Sequence, residues 1–178
     1  LATKRYLEKF DYRTKWSDHL KQAGKRYNPL RNFLIKRYLR YVDKIFAVSN
    51  ALKEALDQNG IKNAEVSYTG IDVNDWQVTS EIVEGFKEKY NLQGKKVVFF
   101  GGRISALKGS EQINQAIAKV KKVFPEAVLL MAGRQGIGWL SGEELKAAYF
   151  ASDIVVVPST CFDSFPRSNP EAMACKKP

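Results

Sequence analysis

Residues 99–112 read FFGGRISALKGSEQ: an apolar run breaks at two glycines, passes Arg103 and Lys108, and reaches a third glycine. Gly101 and Gly102 let a ligand approach the backbone. Arg103 offers a planar, permanently charged fork, and Lys108 a movable point charge. A helix starting behind the bend would aim its positive end at the same place. Together these features suit a diphosphate. The bend has neither the closing Gly-Lys-Ser/Thr of a P-loop nor a GxGxxG fingerprint. The plainer alternative is an ordinary turn with two surface cations.

A second group lies in PSTCFDSFPRSNPEAMA, residues 158–174, where Asp163 and Glu171 stand eight positions apart. Glu171 falls in the first turn of an expected helix. Its plain role there is to complement the helix dipole, worth about 0.3–1 kcal/mol. Its functional role would be to accept hydrogen bonds from vicinal hydroxyls, as a carboxylate does for ribose in dinucleotide folds. Asp163, among Phe162, Phe165 and Pro166, could do the same for a sugar. A glycosidase-like carboxylate pair is the weaker alternative. Two cations on a neighbouring loop fit a leaving group that is already anionic.

The elements that must position these residues follow from the hydrophobic pattern. PLRNFLIKRYLRYVDK, residues 29–44, predicts a basic amphipathic helix with Leu30, Phe33, Leu34, Tyr38 and Tyr41 on its apolar stripe. KIFAVS predicts a short strand, Asn50 a helix cap, Gly60 a helix stop, and EVSYTG a second short strand. IDVNDWQV, residues 71–78, is polar and turn-like, and a domain boundary is expected there. Beyond it, KKVVFF, AVLLMAG and DIVVVPS read as strands. SEIVEGFKEKYNL and SGEELKAAYFAS read as helices, the latter with a Ser141/Glu144 capping box. A helix after the cationic bend would bury Ile113, Ala116, Ile117, Val120 and Phe124 and end at Pro125. Asn169-Pro170-Glu171 reads as a cap, a first-turn proline and a short helix. Strands that are apolar throughout and alternate with helices predict an α/β fold with a parallel sheet covered on both faces. Ligands in such sheets bind beyond the carboxyl ends of the strands. Three loops leave those ends, after Phe100, Ala132 and Pro158.

The charge is unevenly spread. The chain of 178 residues carries a net +10, yet residues 1–44 hold 13 Lys/Arg and 4 Asp/Glu, almost the whole excess. That asymmetry points to a polyanionic or membrane-surface neighbour for that segment, with a solvated helical face as the plain alternative. Packing is expected to claim Phe33 and Leu34 in either case. One histidine, His19, excludes a histidine metal cluster within this sequence, and two cysteines, Cys161 and Cys175, without metal-ligand spacing, fit a reducing compartment better than a disulfide framework. No run of about 18 apolar residues occurs. A reducing compartment is expected.

The chain resembles the retaining nucleotide-sugar glycosyltransferases of family 4, with the GT-B fold. GGRISALKG, VLLMAG, SGEELKAAYFASDIVVVPS and DSFPRSNPEAMACKKP occur in the family's order. DKIFAVSNALKEAL followed by YTGID is similar to the family's passage from its first domain into its second. The resemblance covers roughly residues 42–178. It implies Rossmann-like parallel sheets of a GT-B enzyme, incomplete at both ends. Residues 1–72 would be the end of the acceptor-side domain, and residues 73–178 the start of the donor-nucleotide domain.

What the resemblance implies about the site is specific. Arg103 and Lys108 would hold the donor diphosphate and stabilise charge developing on it as the glycosidic bond breaks. Asp163 would contact the transferred sugar, with backbone amides near Ser164 and Phe165. Glu171 would hold the ribose, and Gly101, Gly102, Arg134, Arg167 and Ser168 would complete the donor site. Family members need no metal, and no cofactor is expected beyond the nucleotide-sugar substrate. The expected acceptor is a glycan or a lipid-linked glycan, with an anionic membrane surface as the further partner of residues 1–44. The location implied is cytoplasmic, with peripheral attachment to the inner membrane face as a further option. His19 is not in the sequence context of the family's active-site histidine and reads as a surface or capping residue. Three departures stand out. The family usually has Glu where this chain has Asp163. Its Gly-Phe-Gly is here Ser164-Phe165-Pro166, and Pro166 has no N–H to donate. Only residues 134–137 separate Gly133 from Gly138-Trp139, where the family has more. Competing readings are a basic binding module for nucleic acid or anionic membrane, and a GT-B sugar-nucleotide epimerase. No nucleic-acid-binding motif accompanies the basic segment, so no nucleic acid partner is expected. DSFPRSNPEAMA favours a transferase.

Overall fold

A computed structural model describes residues 29–178. His19 and residues 1–28 of the basic segment lie outside the described residues. The chain divides into two compact units. One runs up to Thr69 and takes in Cys161–Phe165; the other holds Gly70–Thr160 and Pro166–Pro178.

In the first unit, helix α1 (Pro29–Leu39) opens on a proline, whose missing N–H would have no intrahelical partner in a first turn. The helix stops at Leu39, short of the expected residue 44, and the expected apolar stripe is not separated from the cations: at 3.6 residues per turn Arg37 falls among Leu30, Phe33, Leu34 and Tyr38, with Leu39 on the opposite side. Among the described residues nothing covers the stripe: Phe33 is 64% and Leu34 42% exposed, and Leu30 and Tyr38 are exposed as well. Strands β1 (Ile45–Ala47) and β2 (Ala64–Val66) pair in parallel, with Ile45 opposite Ala64 and Ala47 opposite Val66. Helix α2 (Asn50–Gln58) makes the crossover between them. Its cap is Ser49 rather than the expected Asn50. Ser49 has extended backbone, and its hydroxyl accepts from the Leu52 N–H at 3.2 Å. Asn50 is the first helical residue and donates instead to the Tyr68 hydroxyl at 2.9 Å. A hydroxyl one position earlier reaches the first-turn donors, so it wins the cap.

The second unit holds helix α3 (Ser80–Lys89), strand β3 (Lys96–Phe100), a 3₁₀ turn (Ala106–Lys108), helix α4 (Ser110–Val120), strand β4 (Ala127–Met131), helix α5 (Gly142–Ala151), strand β5 (Ile154–Val155) and helix α6 (Ser168–Ala174). The strands are parallel in the order β4-β3-β5. As the central strand, β3 buries Val97, Phe99 and Phe100, which accounts for an apolar run without alternation. Its Val97 N–H donates to the Asp153 carboxylate at 2.7 Å, which ties the start of β3 to the turn before β5.

Several expected element details differ. Helix α4 ends at Val120, five residues before Pro125, and Phe124 is exposed; only Ile113 and Ile117 of the expected stripe are fully buried. The turns after Val120 are closed by Val123 and Phe124 N–H groups on the Val120 carbonyl. The Ser141/Glu144 capping box does not form: Ser141 occupies the N-cap without a side-chain bond, and Glu144 instead pairs with Lys89 at 2.7 Å. Helix α6 begins at Ser168, so Asn169 is helical rather than the cap.

The core of this unit gathers on Tyr149, which is fully buried on α5. Its ring meets Trp76 edge-on at 5.2 Å and Phe99 edge-on at 4.9 Å, the arrangement that ring quadrupoles prefer. Trp76 comes from the polar IDVNDWQV stretch, which is thereby fastened to the second unit. Cys175 is buried beside this core, and burial pushes its thiol up to about 11, so it stays protonated at neutral pH.

Candidate functional site

The loops leaving β3 and β4 are locally locked by glycines and backbone bonds, and the first of them is bonded to the chain leaving β5. After β3 the chain turns through the 3₁₀ segment into Gly109, whose φ of 79° is left-handed. A Cβ on Gly109 would lie 1.9 Å from the Pro158 carbonyl oxygen, so this turn lies directly on the chain leaving β5. Thr160 reinforces the contact: its N–H donates to the Leu107 carbonyl at 3.0 Å and its hydroxyl to the Ala106 carbonyl at 2.9 Å. Lys108, half-buried, is thus carried on a turn fixed from both sides.

After β4, residues 134–137 close a tight turn. The Gly133 N–H donates to the Gly138 carbonyl at 2.6 Å, and the Ile137 N–H to the Met131 carbonyl at 3.0 Å. A Cβ on Gly136 would meet the Met131 oxygen at 1.9 Å, so the short loop requires glycine there. Its tip lines a cavity of about 180 Å³ formed by Arg103, Ile104, Gly133, Arg134, Gln135 and Trp139. Arg103 and Arg134, both exposed, therefore share one cavity beyond the carboxyl ends of β3 and β4. Trp139 was not singled out from the sequence; it is 72% exposed, a large ring left on the wall of a cationic hollow.

A second cluster forms around Glu171, which is buried on α6. The Tyr149 hydroxyl donates to Glu171 Oε2 at 2.6 Å. Arg167 Nε lies 3.6 Å from Glu171 Oε1. A buried carboxylate needs such partners, because desolvation penalises the charged form. Burial, and then the bond to Glu171, raise the Tyr149 hydroxyl far above its ordinary value, with Ser168 opposing, so it remains a donor. Gly101 belongs to this cluster too: a Cβ there would stand 2.8 Å from the Tyr149 hydroxyl oxygen and 3.1 Å from Phe99. At Gly102 the Cβ direction meets the Phe100 ring at 3.3 Å. Internal packing is thus a second reason for glycine at both positions.

Of the expected donor-site residues, the structure brings Arg103 and Arg134 together in the cavity, and Gly101, Arg167, Ser168 and Glu171 together around Tyr149. Asp163, Ser164 and Phe165 are half-buried in Cys161–Phe165, which is counted with the first unit. Sequence reading missed Tyr149. The available signal was a tyrosine within the run Ala147-Ala148-Tyr149 on a buried helix face, whose hydroxyl must find a partner. Among the described residues, no three His, Cys, Asp or Glu side chains gather to hold a metal ion.

Parallel β-strands alternating with helices, with glycine-rich loops after β3 and β4, give an α/β architecture that matches solved GT-B glycosyltransferases. The chain is 28% identical over 116 residues to YtcC of Bacillus subtilis (strain 168), named provisionally as a glycosyltransferase; the match covers 61% of this chain and 28% of that protein. It is 27% identical over 165 residues to the uncharacterized glycosyltransferase MJ1607 of Methanocaldococcus jannaschii, covering 76% of this chain and 41% of that protein. The chain thus spans less than half the length of either relative. Its fold matches Anabaena Alr3699/HepE, solved with UDP and glucose, at a TM-score of 0.77 and 20% identity over 86% of this chain and 48% of that one. It also matches a glycosyltransferase from Rickettsia africae at a TM-score of 0.71 and 23% identity, over 81% of this chain and 46% of that one. No family model matches. The chain is thus similar in sequence to proteins described as glycosyltransferases and shares their GT-B fold.

Proposed function

We propose that this chain is part of a retaining, family 4 type glycosyltransferase that moves a hexose from a nucleoside-diphosphate donor to an acceptor. The observation that carries the reading is the pairing of Arg103 and Arg134 in one cavity at the carboxyl ends of β3 and β4. The relatives' descriptions, and a fold neighbour that holds UDP and glucose, support a nucleotide-sugar donor. In this reading residues 73–178 begin the donor domain, and residues up to 72 end the acceptor-side domain.

Arg103, Lys108 and Arg134 hold the diphosphate, while Gly102 leaves its backbone open beside them. As the bond from the anomeric carbon to the diphosphate oxygen breaks, its electron pair stays on that oxygen. Arg103 and Lys108 stabilise the charge that develops there, so no metal is given a role. Retention requires the acceptor hydroxyl oxygen to bond to the anomeric carbon on the face that the diphosphate leaves, and the hydroxyl proton passes to the departing diphosphate oxygen. Asp163 and the amides of Ser164 and Phe165 take the transferred sugar. Glu171 takes the ribose, flanked by Arg167 and Ser168.

The two carboxylates separate experimentally. Glu171→Gln should weaken every nucleotide tested, sugar-bearing or not, by about 1–3 kcal/mol. Asp163→Asn should spare free nucleoside diphosphate and impair turnover of the sugar donor. Calorimetry across a panel of nucleotides and nucleotide sugars, beside initial-rate assays, measures both. Two variants with the same profile would remove the separate roles.

We propose a cytoplasmic enzyme held peripherally on an anionic membrane face through residues 1–44, serving a glycan or lipid-linked glycan acceptor. The support is charge beside exposed apolar surface: Lys36 and Arg37 of helix α1, and Arg40 just after it, accompany the exposed Leu30, Phe33, Leu34 and Tyr38, without a separate apolar face. Among the described residues no helix is long and apolar enough to cross a membrane. Each cation near the surface should contribute about 1 kcal/mol, screened by salt. The intact protein should therefore sediment with anionic vesicles at low salt, and much less with neutral vesicles or at high salt. Equal binding to both vesicle types, or none, would make these charges a solvated face and favour a soluble acceptor.

A further inference from the structure

We infer that Tyr149 is a positioning residue for nucleotide recognition: its hydroxyl fixes the orientation in which Glu171 meets the ribose, and Gly101 is glycine to leave room for that bridge. The inference rests on the reading of Glu171 as the ribose acceptor. Three observations carry it. The Tyr149 hydroxyl donates to Glu171 Oε2 at 2.6 Å while its ring is clamped between Trp76 and Phe99. Glu171 is buried, so its carboxylate has few alternative partners and little room to swing. The space beside the hydroxyl is the space that a Cβ on Gly101 would take, at 2.8 Å.

The consequence is geometric. With one lone pair of Oε2 committed to Tyr149, the remaining acceptor sites of Glu171 point in fixed directions. Vicinal ribose hydroxyls are a pair of donors at fixed separation, so a fixed carboxylate recognises them at lower entropic cost than a free one. Tyr149 touches no ligand in this arrangement and acts through Glu171 alone.

The test compares ribose with a ribose lacking both hydroxyls. Calorimetry on the intact protein measures uridine, adenosine, guanosine, cytidine and thymidine diphosphates, and then the 2′,3′-dideoxy form of the ribonucleotide bound most tightly. The wild-type protein should prefer the ribose form by about tenfold or more, the scale of hydrogen bonds to a charged group. Tyr149→Phe keeps the ring contacts and removes the hydroxyl. It should leave dideoxy binding within about twofold and cut the ribose preference to about threefold or less. Gly101→Ala, which keeps the tyrosine but crowds its hydroxyl off Glu171, should lower the preference in the same way and carries the test should Tyr149→Phe fail to fold.

A structural role alone would weaken both nucleotides equally, and that result would overturn the inference. So would a preference lost in Glu171→Gln but retained in Tyr149→Phe and Gly101→Ala, with the ribose reading left standing. No preference in the wild-type protein, or no binding of any diphosphate, would overturn the ribose reading and the inference with it.

Discussion

Arg103→Ala and Lys108→Ala are each expected to lower donor turnover by about a hundredfold or more, the usual scale for removing one preorganised group aimed at developing charge. Each should also weaken nucleoside-diphosphate affinity by roughly 1.5–3 kcal/mol, the range of charge-assisted hydrogen bonds. The two losses have different origins. Arg103 is exposed and shares the cavity with Arg134, so in the proposed site a neighbouring cation would partly replace it in ground-state binding. Lys108 is held on a turn locked to the exit of β5, so its position is fixed before any ligand arrives. Lys108→Ala should therefore have the larger effect on kcat, and Arg103→Ala a share of its loss in KM. Initial rates across donor concentrations, with calorimetry of the free diphosphate, separate these terms. Wild-type kcat/KM and affinity in both variants would remove the diphosphate from this loop.

The parts of the fold that were legible in sequence are those set by long-range burial. KKVVFF reads as a buried strand, and it is the centre of the three-stranded sheet. The cationic bend was legible because glycine, arginine and lysine are chemically distinctive at that spacing. Details decided by competition among near-equal partners were not legible. Ser49 and Asn50 both cap helices, and only the extended backbone at Ser49 settles which one does. Glu144 had two suitors, its own helix N-terminus and Lys89 on α3; the distant lysine wins. Tyr149 reads as an ordinary core aromatic, because 22 positions separate it from Glu171 and no local pattern encodes the meeting. The same holds for Gly101, whose glycine reads as room for a ligand until the hydroxyl of Tyr149 is seen beside it.

Gly109→Ala is expected to be the most damaging single-methyl substitution in the second unit. Gly109 has φ of 79°, and an L-residue there incurs about 1–2 kcal/mol of left-handed strain. The added Cβ would also sit 1.9 Å from the Pro158 carbonyl oxygen, which is backbone and cannot rotate aside. Overpacking of that kind adds about 1–3 kcal/mol, for a total of roughly 2–5 kcal/mol. Gly94→Ala is the matched control in the same unit: its φ is 67°, with nothing within 4 Å of the new methyl, so it suffers the strain alone. Urea denaturation of both variants isolates the contact with Pro158 by difference. The structural damage has a functional signature. The chain can relieve the clash only by moving the Ala106–Lys108 turn away from the exit of β5, which breaks the bonds from Thr160 to Ala106 and Leu107. Lys108 then loses its fixed position, and Gly109→Ala should approach Lys108→Ala in diphosphate affinity even under conditions where it is fully folded. A Gly109→Ala protein no less stable than Gly94→Ala, with wild-type affinity, would mean that the turn is not held by β5 and that Lys108 needs no such fixing.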